Sequence, residues 1–431
     1  MKTEKSNSEK KQTMIPKNHY MKSSVTTTLV LWLSCISLSS SLAASTICRN
    51  SLYLAALISL VDLFVKKTKI KLNPAIIIII TALLLSISMY LPTIIYSSVK
   101  FHDIDLNYRE TSKRIFLGVI IGFYLISHRD RISSRGWISS YFWILLGFVY
   151  TVILALKLAT PHQRLEINTV ATMTAYIFAV LSLSAIYISL KLRGWIRHLS
   201  VIIIVFSSCY VLLLTQTRSV FLTYPILLLA ILIKEKFFNK HTSIIFLMIL
   251  SFSALVFPLK FHAIFDRVSQ SIVEYKEYQN NNDSTSLGSR LSMWKAGFFT
   301  NNISILGESA DHRDVLVREY IHQYENGNNE ALRVIKYHYH NDLLEAGTLR
   351  GVFGFIILLT FYIVTIIASR KFTGNYNMAI LLVAPTWIYG STDSVLIDHR
   401  FVTILILLLP FYLCSEKLKN QEKTEHSNNQ N

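Results

Sequence analysis

Two histidines mark the stretch of this sequence that is best suited to chemistry. His338 and His340 belong to the segment KYHYHNDLLEAGTLRGVFG, in which polar residues run directly into a long apolar stretch. An imidazole titrates near neutral pH, so either ring could take a proton from a substrate beside the lipid. The simpler interpretation is that Asn341 and Asp342 cap the incoming helix and that the histidines are only interfacial. The spacing alone favours the simpler interpretation.

Two arginines are candidates for binding an anion. Arg218 is the single charge in TQTRSVFL, a short connection between two apolar runs, and Arg290 begins an amphipathic pattern in LGSRLSMWKAGF. A guanidinium binds a phosphate through two parallel hydrogen bonds, so both side chains could hold the same anion. The alternatives are that Arg218 is a snorkelling anchor and that Arg290 only solvates a helix that Trp294 fixes at the interface.

Further polar residues on the same predicted side carry weaker signals. The segment STDSVLIDHR could contribute a charged pair or a gate, with Asp393 as a candidate substrate contact, although we expect solvated loop residues there. Other basic residues could contact phosphorylated sugars, namely Lys100, Arg109, Arg164 and Arg313.

The composition places the chain among membrane proteins. Of its 431 residues, 52% are apolar and only 16% are charged. The formal net charge of +17 would suggest nucleic acid in a soluble protein. Here the basic residues cluster in alternate connections between apolar runs, which indicates membrane topology and contact with anionic lipid, and excludes nucleic acid. The cysteines are Cys35, Cys48, Cys209 and Cys414, and their separation predicts neither a disulfide framework nor a metal site.

Apolar runs of about the length that a bilayer requires occur about twelve times, and each must be helical because its backbone has no other partner in hydrocarbon. They cover residues 25–44, 51–65, 74–91, 115–127, 137–155, 169–190, 200–215, 220–233, 243–259, 351–369, 378–390 and 401–414. The first run ends in SLAAS, which imitates a cleavage site, but we favour an uncleaved helix because the next run follows at once. The sequence therefore predicts an all-α polytopic membrane protein.

Charge predicts the orientation and the domains. The basic connections put both termini in the cytoplasm. The predicted parts are a cytoplasmic tail at 1–22, membrane helices at 23–259, one large outer loop at 260–350, membrane helices at 351–414 and a second cytoplasmic tail at 415–431. Within the loop, the apolar pattern predicts amphipathic helices at 263–278, 289–300, 311–324 and 329–346.

Motifs in this arrangement resemble the O-antigen ligase family of lipopolysaccharide biosynthesis. That family has a large periplasmic loop between its ninth and tenth membrane helices and a loop motif of His, Asn/Ser/Gln, nine residues, Gly, two residues and a small residue. His340, Asn341, Gly351 and Gly354 match this motif.

The arginine patterns of the family also match. An arginine followed four positions later by leucine corresponds to Arg218 and Leu222, and a further arginine in the large loop corresponds to Arg290. The resemblance implies a fold similar to GT-C glycosyltransferases in the bacterial inner membrane, with the active site facing the periplasm. The implied reaction transfers O-antigen polysaccharide from undecaprenyl pyrophosphate to a sugar hydroxyl of lipid A-core, without ATP or metal.

The residues then take roles that the resemblance implies. His340 is predicted to be the general base, chosen over His338 by the motif alone, and Arg218 and Arg290 are predicted to be catalytic by binding the pyrophosphate. The predicted substrate-binding set comprises Arg218, Arg290, His338, Asn341 and Asp393. The missing acidic pair in the outer loop agrees with metal independence.

Three other functions remain open from the sequence. An O-antigen polymerase or a pilin oligosaccharyltransferase would share the layout and the donor but use another acceptor. A transporter is disfavoured because the spans carry almost no mid-membrane charge besides Asp62 and show no evident repeat.

Overall fold

The computed structural model describes residues 24–67, 72–160, 163–238, 258–280, 284–301 and 304–428. Within these ranges all regular secondary structure is helical, as predicted. In chain order the helices are α1 (Val25–Ser40), α2 (Ser45–Val65), α3 (Pro74–Tyr90), α4 (Pro92–Ile95), α5 (His102–His128), α6 (Ser134–Leu158), α7 (Ala171–Ser189), α8 (Gly194–Thr215), α9 (Arg218–Lys234), α10 (Pro258–Gln279), α11 (Ser286–Phe299), α12 (Ala310–Tyr324), α13 (Asn329–Val334), α14 (Asp342–Leu349), α15 (Gly351–Thr373), α16 (Ala384–Gly390) and α17 (His399–Asn428).

The protein is a multi-pass membrane protein. Seven helical segments in the described ranges are long and apolar enough to cross a bilayer, namely Ser45–Val65, Pro74–Ile95, Ser134–Leu158, Ala171–Ser189, Gly194–Thr215, Gly351–Thr373 and His399–Glu416. Two shorter apolar helices are Val25–Ser40 and Ala379–Gly390. The predicted run at 243–259 and the predicted tail at 1–22 lie mostly or wholly outside the described residues, so the count of twelve stays a prediction.

The membrane part is organised around α7. Within its hydrophobic window, 94% of the residues are buried, against 22% for α6, so α7 is surrounded by protein while α6 lies at the lipid boundary. Around this core, α1 packs against α2 and α6, and α3 packs against α5 and α15. The last helix, α17, packs along α5 and continues to Asn428 through the segment predicted as a tail.

One end of the bundle is closed by buried polar contacts. Glu416 is 3% exposed and accepts hydrogen bonds from Tyr187, Asn375 and Asn377. Its carboxylate also lies 3.5 Å from the Lys191 ammonium. These contacts join the ends of α7, α15 and α17, and the opposite end of the bundle carries the candidate site.

The segment between α9 and α15 has its own apolar core. Its buried side chains come from α11, α12, α13 and the turn after α13, namely Met293, Ala296, Val317, Ile321, Ala331, Leu332, Ile335 and Tyr339. Asp311, in the first turn of α12, accepts backbone N–H groups of Val99 (2.7 Å), Lys100 (3.1 Å) and Phe101 (3.0 Å). This carboxylate therefore attaches the segment to the connection before α5.

Three of the predicted loop helices are confirmed with shifted ends, as α10, α11 and α12. The prediction of a single helix at 329–346 is wrong, because the structure has two helices there, α13 and α14, with an irregular turn between them. The backbone of His340 has φ +53°, a left-handed conformation that no helix interior contains. The apolar spacing continues across this turn because Ile335 and Tyr339 are buried, so periodicity alone could not reveal the break.

Gly351 forms the junction between α14 and α15. Its φ is +65°, and a Cβ atom there would overlap the carbonyl oxygen of Ser304 and the backbone nitrogen of Gly307. The neighbouring N–H groups of Val352 and Phe353 donate to the carbonyl oxygens of Ser304 (3.0 Å) and Ile305 (3.0 Å). The close backbone approach and the positive φ therefore explain why this position requires glycine.

Gly351→Ala is expected to destabilise the protein by on the order of 3 kcal/mol, because it combines an unfavourable φ with a steric overlap against rigid backbone. The matched control is Gly194→Ala, where φ is +66° but a Cβ would meet open space. That change should cost only about 1 kcal/mol. Thermal unfolding of both variants in detergent measures the difference, and equal melting temperatures would contradict the steric argument.

Candidate active site

His340 and Asp393 form a hydrogen-bonded pair at one end of the helix bundle. Nδ1 of His340 lies 2.8 Å from Oδ1 of Asp393, and Asp393 is 4% exposed. The same carboxylate oxygen accepts the N–H of Ser394 at 2.9 Å. Burial alone would raise the pKa of Asp393, but the charge of His340 and its hydrogen bond hold that pKa below its ordinary value. The expectation of a solvated Asp393 is therefore wrong, and its carboxylate fixes the orientation of the His340 ring.

His338 supports the turn that carries His340. Its Nδ1 accepts the backbone N–H of His340 at 3.2 Å and lies 3.8 Å from Asp393, and the two imidazole centroids are 4.2 Å apart. Burial lowers the pKa of His338 to about 3, and the charge of His340 adds to this effect. His338 is therefore neutral over the physiological pH range, with Nδ1 already used as an acceptor.

Asn341 is the N-cap of α14. Its side-chain oxygen accepts the N–H groups of Leu343 (3.0 Å) and Leu344 (3.2 Å), which confirms the capping interpretation for this residue. Asp342 follows as the first helical residue and is 3% exposed. Its carboxylate accepts the N–H of Leu396 at 3.2 Å, and burial raises the pKa of Asp342 well above its ordinary value. This hydrogen bond therefore attaches the turn that carries His338 and His340, the histidine turn, to the segment that contains Asp393.

Arg218 is the first residue of α9 and is connected to the pair of His340 and Asp393 through its neighbour. The hydroxyl of Tyr176 lies 3.0 Å from that of Ser219 and 3.3 Å from that of Thr392. Thr392 directly precedes Asp393 in the sequence. The start of α9 and the pair of His340 and Asp393 are therefore on the same end of the bundle, separated by one tyrosine.

The Arg218 guanidinium itself points to α10. It donates to Ser271 (3.0 Å), Gln270 (3.1 Å) and Glu274 (2.9 Å). A cavity of about 410 Å³ adjoins these groups, and its wall includes Thr285 and Ser286 at the start of α11. The side chain thus belongs to a polar pocket and is not a free anchor at the lipid surface.

Arg290 lies on α11, within electrostatic reach of the histidines. It is half-buried, and its positive charge helps to lower the pKa values of His338 and Asp393. In the described part of the chain, no hydrogen bond or ion pair engages its guanidinium. Trp294, one turn further along, donates its indole N–H to the carbonyl oxygen of Tyr339 at 2.9 Å, so α11 also braces the histidine turn.

A buried ion pair supports the same turn from the other side. Arg313 and Glu345 are each 1% exposed at the side chain and lie 2.7 Å apart. The second carboxylate oxygen of Glu345 accepts the N–H of Tyr339 at 3.0 Å, and the Arg313 guanidinium lies 5.2 Å from the centre of the Tyr339 ring. The expectation that Arg313 contacts phosphorylated sugars is therefore wrong, because the side chain is enclosed and paired.

Glu345→Gln is expected to cost about 3 kcal/mol of stability, since removing one partner leaves a buried charge uncompensated. The matched control is Glu330→Gln in the same segment, whose partner Arg333 has a side chain that is 65% exposed. Solvent screens that exposed ion pair, so Glu330→Gln should cost little stability. Melting temperatures of the two variants test the difference, and a larger effect at Glu330 would show that the buried pair is not what holds the turn.

The structure also brings together three groups that could ligate a metal. His338, His340 and Asp393 each offer one ligand atom, and these atoms lie within 4.8 Å of one another. Zinc would require each atom at about 2.0–2.2 Å from the ion. In the present arrangement Nδ1 of His338 accepts a backbone N–H, and Nδ1 of His340 is hydrogen-bonded to Oδ1 of Asp393. An ion bound through those two Nδ1 atoms would have to replace these hydrogen bonds.

Several residues of this site were not predicted from the sequence. Tyr176 lies within an apolar run, and Glu274 and Glu345 lie on predicted helices where a carboxylate normally solvates the surface. Their only sequence signal is a polar residue on the apolar face of a helix, and that signal is too common to select them.

Comparisons with known proteins give the following matches. Residues 202–359 match a family model described as O-Antigen ligase, and this range contains Arg218, Arg290 and His340. An O-antigen ligase of Escherichia coli (strain K12) is 32% identical over 207 residues, which is 46% of this chain and 47% of the relative. The match thus spans about half the length of that curated protein. Both findings support the family that the motifs predicted.

Proposed function

From the O-antigen ligase family, which the family model and the curated relative support for this chain, we propose that the protein is a glycosyltransferase that attaches O-antigen polysaccharide to lipid A-core. The donor is O-antigen linked to undecaprenyl pyrophosphate, and the acceptor is a sugar hydroxyl of lipid A-core. The protein acts in the bacterial inner membrane with the site facing the periplasm and both termini in the cytoplasm.

The hydrogen bond between His340 and Asp393 is the observation that carries this proposal. An ionised carboxylate can only accept, so Nδ1 of His340 carries the proton and Nε2 of the neutral ring keeps its lone pair. Nε2 of His340 removes the proton of the acceptor hydroxyl while the hydroxyl oxygen attacks the anomeric carbon of the donor. Asp393 stabilises the imidazolium that results. His338 cannot take this role in the same way, because its Nδ1 is an acceptor for the backbone.

The two arginines complete the mechanism at the leaving group. As the new glycosidic bond forms, the bond between the anomeric carbon and the phosphate oxygen breaks, and its electron pair remains on the diphosphate. Arg218 and Arg290 bind the diphosphate and stabilise that developing charge. Attack from the side opposite the leaving group inverts the anomeric configuration. Two fixed cations supply the charge that a metal ion provides in other transferases, so the reaction needs neither metal nor ATP.

Transfer with purified components tests the proposal. The protein in nanodiscs is mixed with undecaprenyl-pyrophosphate-linked O-antigen and labelled lipid A-core, and the label is followed by gel electrophoresis. The expected result is a ladder of slower labelled bands at an unchanged rate in the presence of EDTA. Lengthening of the lipid-linked glycan without labelled lipid A-core would instead identify a polymerase, and a rate lost with EDTA would refute the metal-independent mechanism.

A further inference from the structure

Glu274 occupies a place that has the properties of a phosphate site. One carboxylate oxygen accepts from the Arg218 guanidinium at 2.9 Å, and the other accepts the backbone N–H of Leu287 at 3.0 Å. Glu274 is only 5% exposed, although it comes from a largely polar helix. A guanidinium and the N-terminus of a helix are two groups that commonly bind phosphate in proteins.

The helix that receives this carboxylate also carries Arg290. Thr285 caps α11 by accepting the N–H of Gly288 at 3.0 Å, Leu287 lies in the first turn, and Arg290 follows three residues later on the same face. An anion in place of the Glu274 carboxylate would therefore lie between Arg218 and the turn that leads to Arg290. The cavity of about 410 Å³ opens at this point.

We propose that Glu274 is an internal competitor of the donor: its carboxylate fills one phosphate position in the unliganded protein, and the lipid diphosphate displaces it on binding. This inference rests on the proposed function, because it takes Arg218 and Arg290 as ligands of the diphosphate. A carboxylate and a phosphate cannot occupy this position together, since both are negatively charged and both would need the same Arg218 and Leu287 N–H groups. The contact keeps Arg218 oriented and neutralised until the donor arrives.

Binding of undecaprenyl pyrophosphate to the full-length protein in nanodiscs tests this inference. Glu274→Gln retains the shape and a hydrogen-bond acceptor but removes the charge, so the Kd should fall about tenfold and the KM for the donor should fall with it. The matched control is Glu277→Gln, which lines the same cavity. Among the described residues no ion pair joins Glu277 to Arg218, so its Kd should change less than about twofold. If the affinity of Glu274→Gln were unchanged or weaker, Glu274 would only hold the Arg218 side chain in position and would not compete with the donor.

Two further measurements separate the possible failures. In the wild-type protein, bound undecaprenyl pyrophosphate should increase deuterium uptake in residues 266–279, because α10 loses its contacts to Arg218 and Leu287. Unchanged uptake would contradict the competitor role, and this measurement does not depend on the folding of Glu274→Gln. Arg218→Ala should weaken binding about a hundredfold. If wild-type binding is lost in Arg218→Ala while Glu274→Gln has no effect, only the inference fails. If Arg218→Ala binds normally, the proposed function fails as well.

Discussion

His340→Ala is expected to reduce transfer of O-antigen to lipid A-core by about 10²- to 10⁴-fold, the range typical for loss of a general base. The imidazole is the group that Asp393 orients, and alanine offers no proton acceptor in its place. Asp393→Asn should cost about 10²-fold or more, because the amide cannot stabilise an imidazolium and allows the wrong tautomer. Initial rates with purified donor and acceptor measure both effects.

The control for this prediction is His338→Gln. The glutamine amide oxygen can still accept the backbone N–H of His340, so the rate should fall less than about tenfold. Burial holds the pKa of His338 at about 3. Its folded-state pKa lies below the ordinary value, so it stays neutral above about pH 4 and cannot produce a rate change between pH 5 and pH 8. The pH profile of His338→Gln should therefore match that of the wild type. If His340→Ala kept a rate within threefold of the wild type, the assignment of His340 as the general base would be wrong.

Arg290→Ala is the second change with a large expected effect, a reduction of about 10²- to 10³-fold that falls mainly on kcat. Arg290 is unpaired within the described part of the chain, and its charge reaches His338 and Asp393. A cation in this position is free to bind the diphosphate as negative charge grows during bond cleavage. Arg290→Lys should restore little activity, because an ammonium cannot make two parallel hydrogen bonds to one phosphate.

Arg333→Ala is the matched control for Arg290, since Arg333 belongs to the same segment but is exposed and paired with Glu330. Its kcat and KM should equal those of the wild type, which excludes a general effect of lost positive charge. The protein amount in membranes must be equal for all variants. A loss in Arg290→Ala confined to KM would assign the residue to ground-state binding and contradict a role in the transition state.

Much of the fold follows from the sequence because membrane insertion imposes local rules. A run of apolar residues must satisfy its own backbone hydrogen bonds, so its helical state follows from composition without knowledge of any neighbour. A separate argument, the helical period of apolar residues, gave three of the helices between α9 and α15 with ends shifted by a few residues. It failed at 329–346, where the turn between α13 and α14 is fixed by Glu345 on the following helix and by two groups from distant positions, Arg313 and Trp294.

The candidate site, too, could be predicted from the sequence only in part. His340, Arg218 and Arg290 were selected by the resemblance to the family's motifs, since their spacing alone favoured simpler interpretations. Their partners were not evident, because they are distant in the sequence: Asp393 is 53 residues from His340, Tyr176 is 43 residues from Ser219, and Glu274 is 56 residues from Arg218. Asp393 was expected to be solvated and Arg313 to meet sugars, and both are buried instead.

By itself, the sequence determined a helical membrane protein with a polar segment between membrane helices, a histidine motif at its end and two arginines that could bind an anion. Only the tertiary structure decided that His340, and not His338, is hydrogen-bonded to Asp393, that Arg218 is already neutralised by Glu274, and that Arg290 is left without a partner in the described residues. The physical reason is that charge and proton affinity depend on atoms within about 4–6 Å. Those atoms come from parts of the chain that only folding brings together.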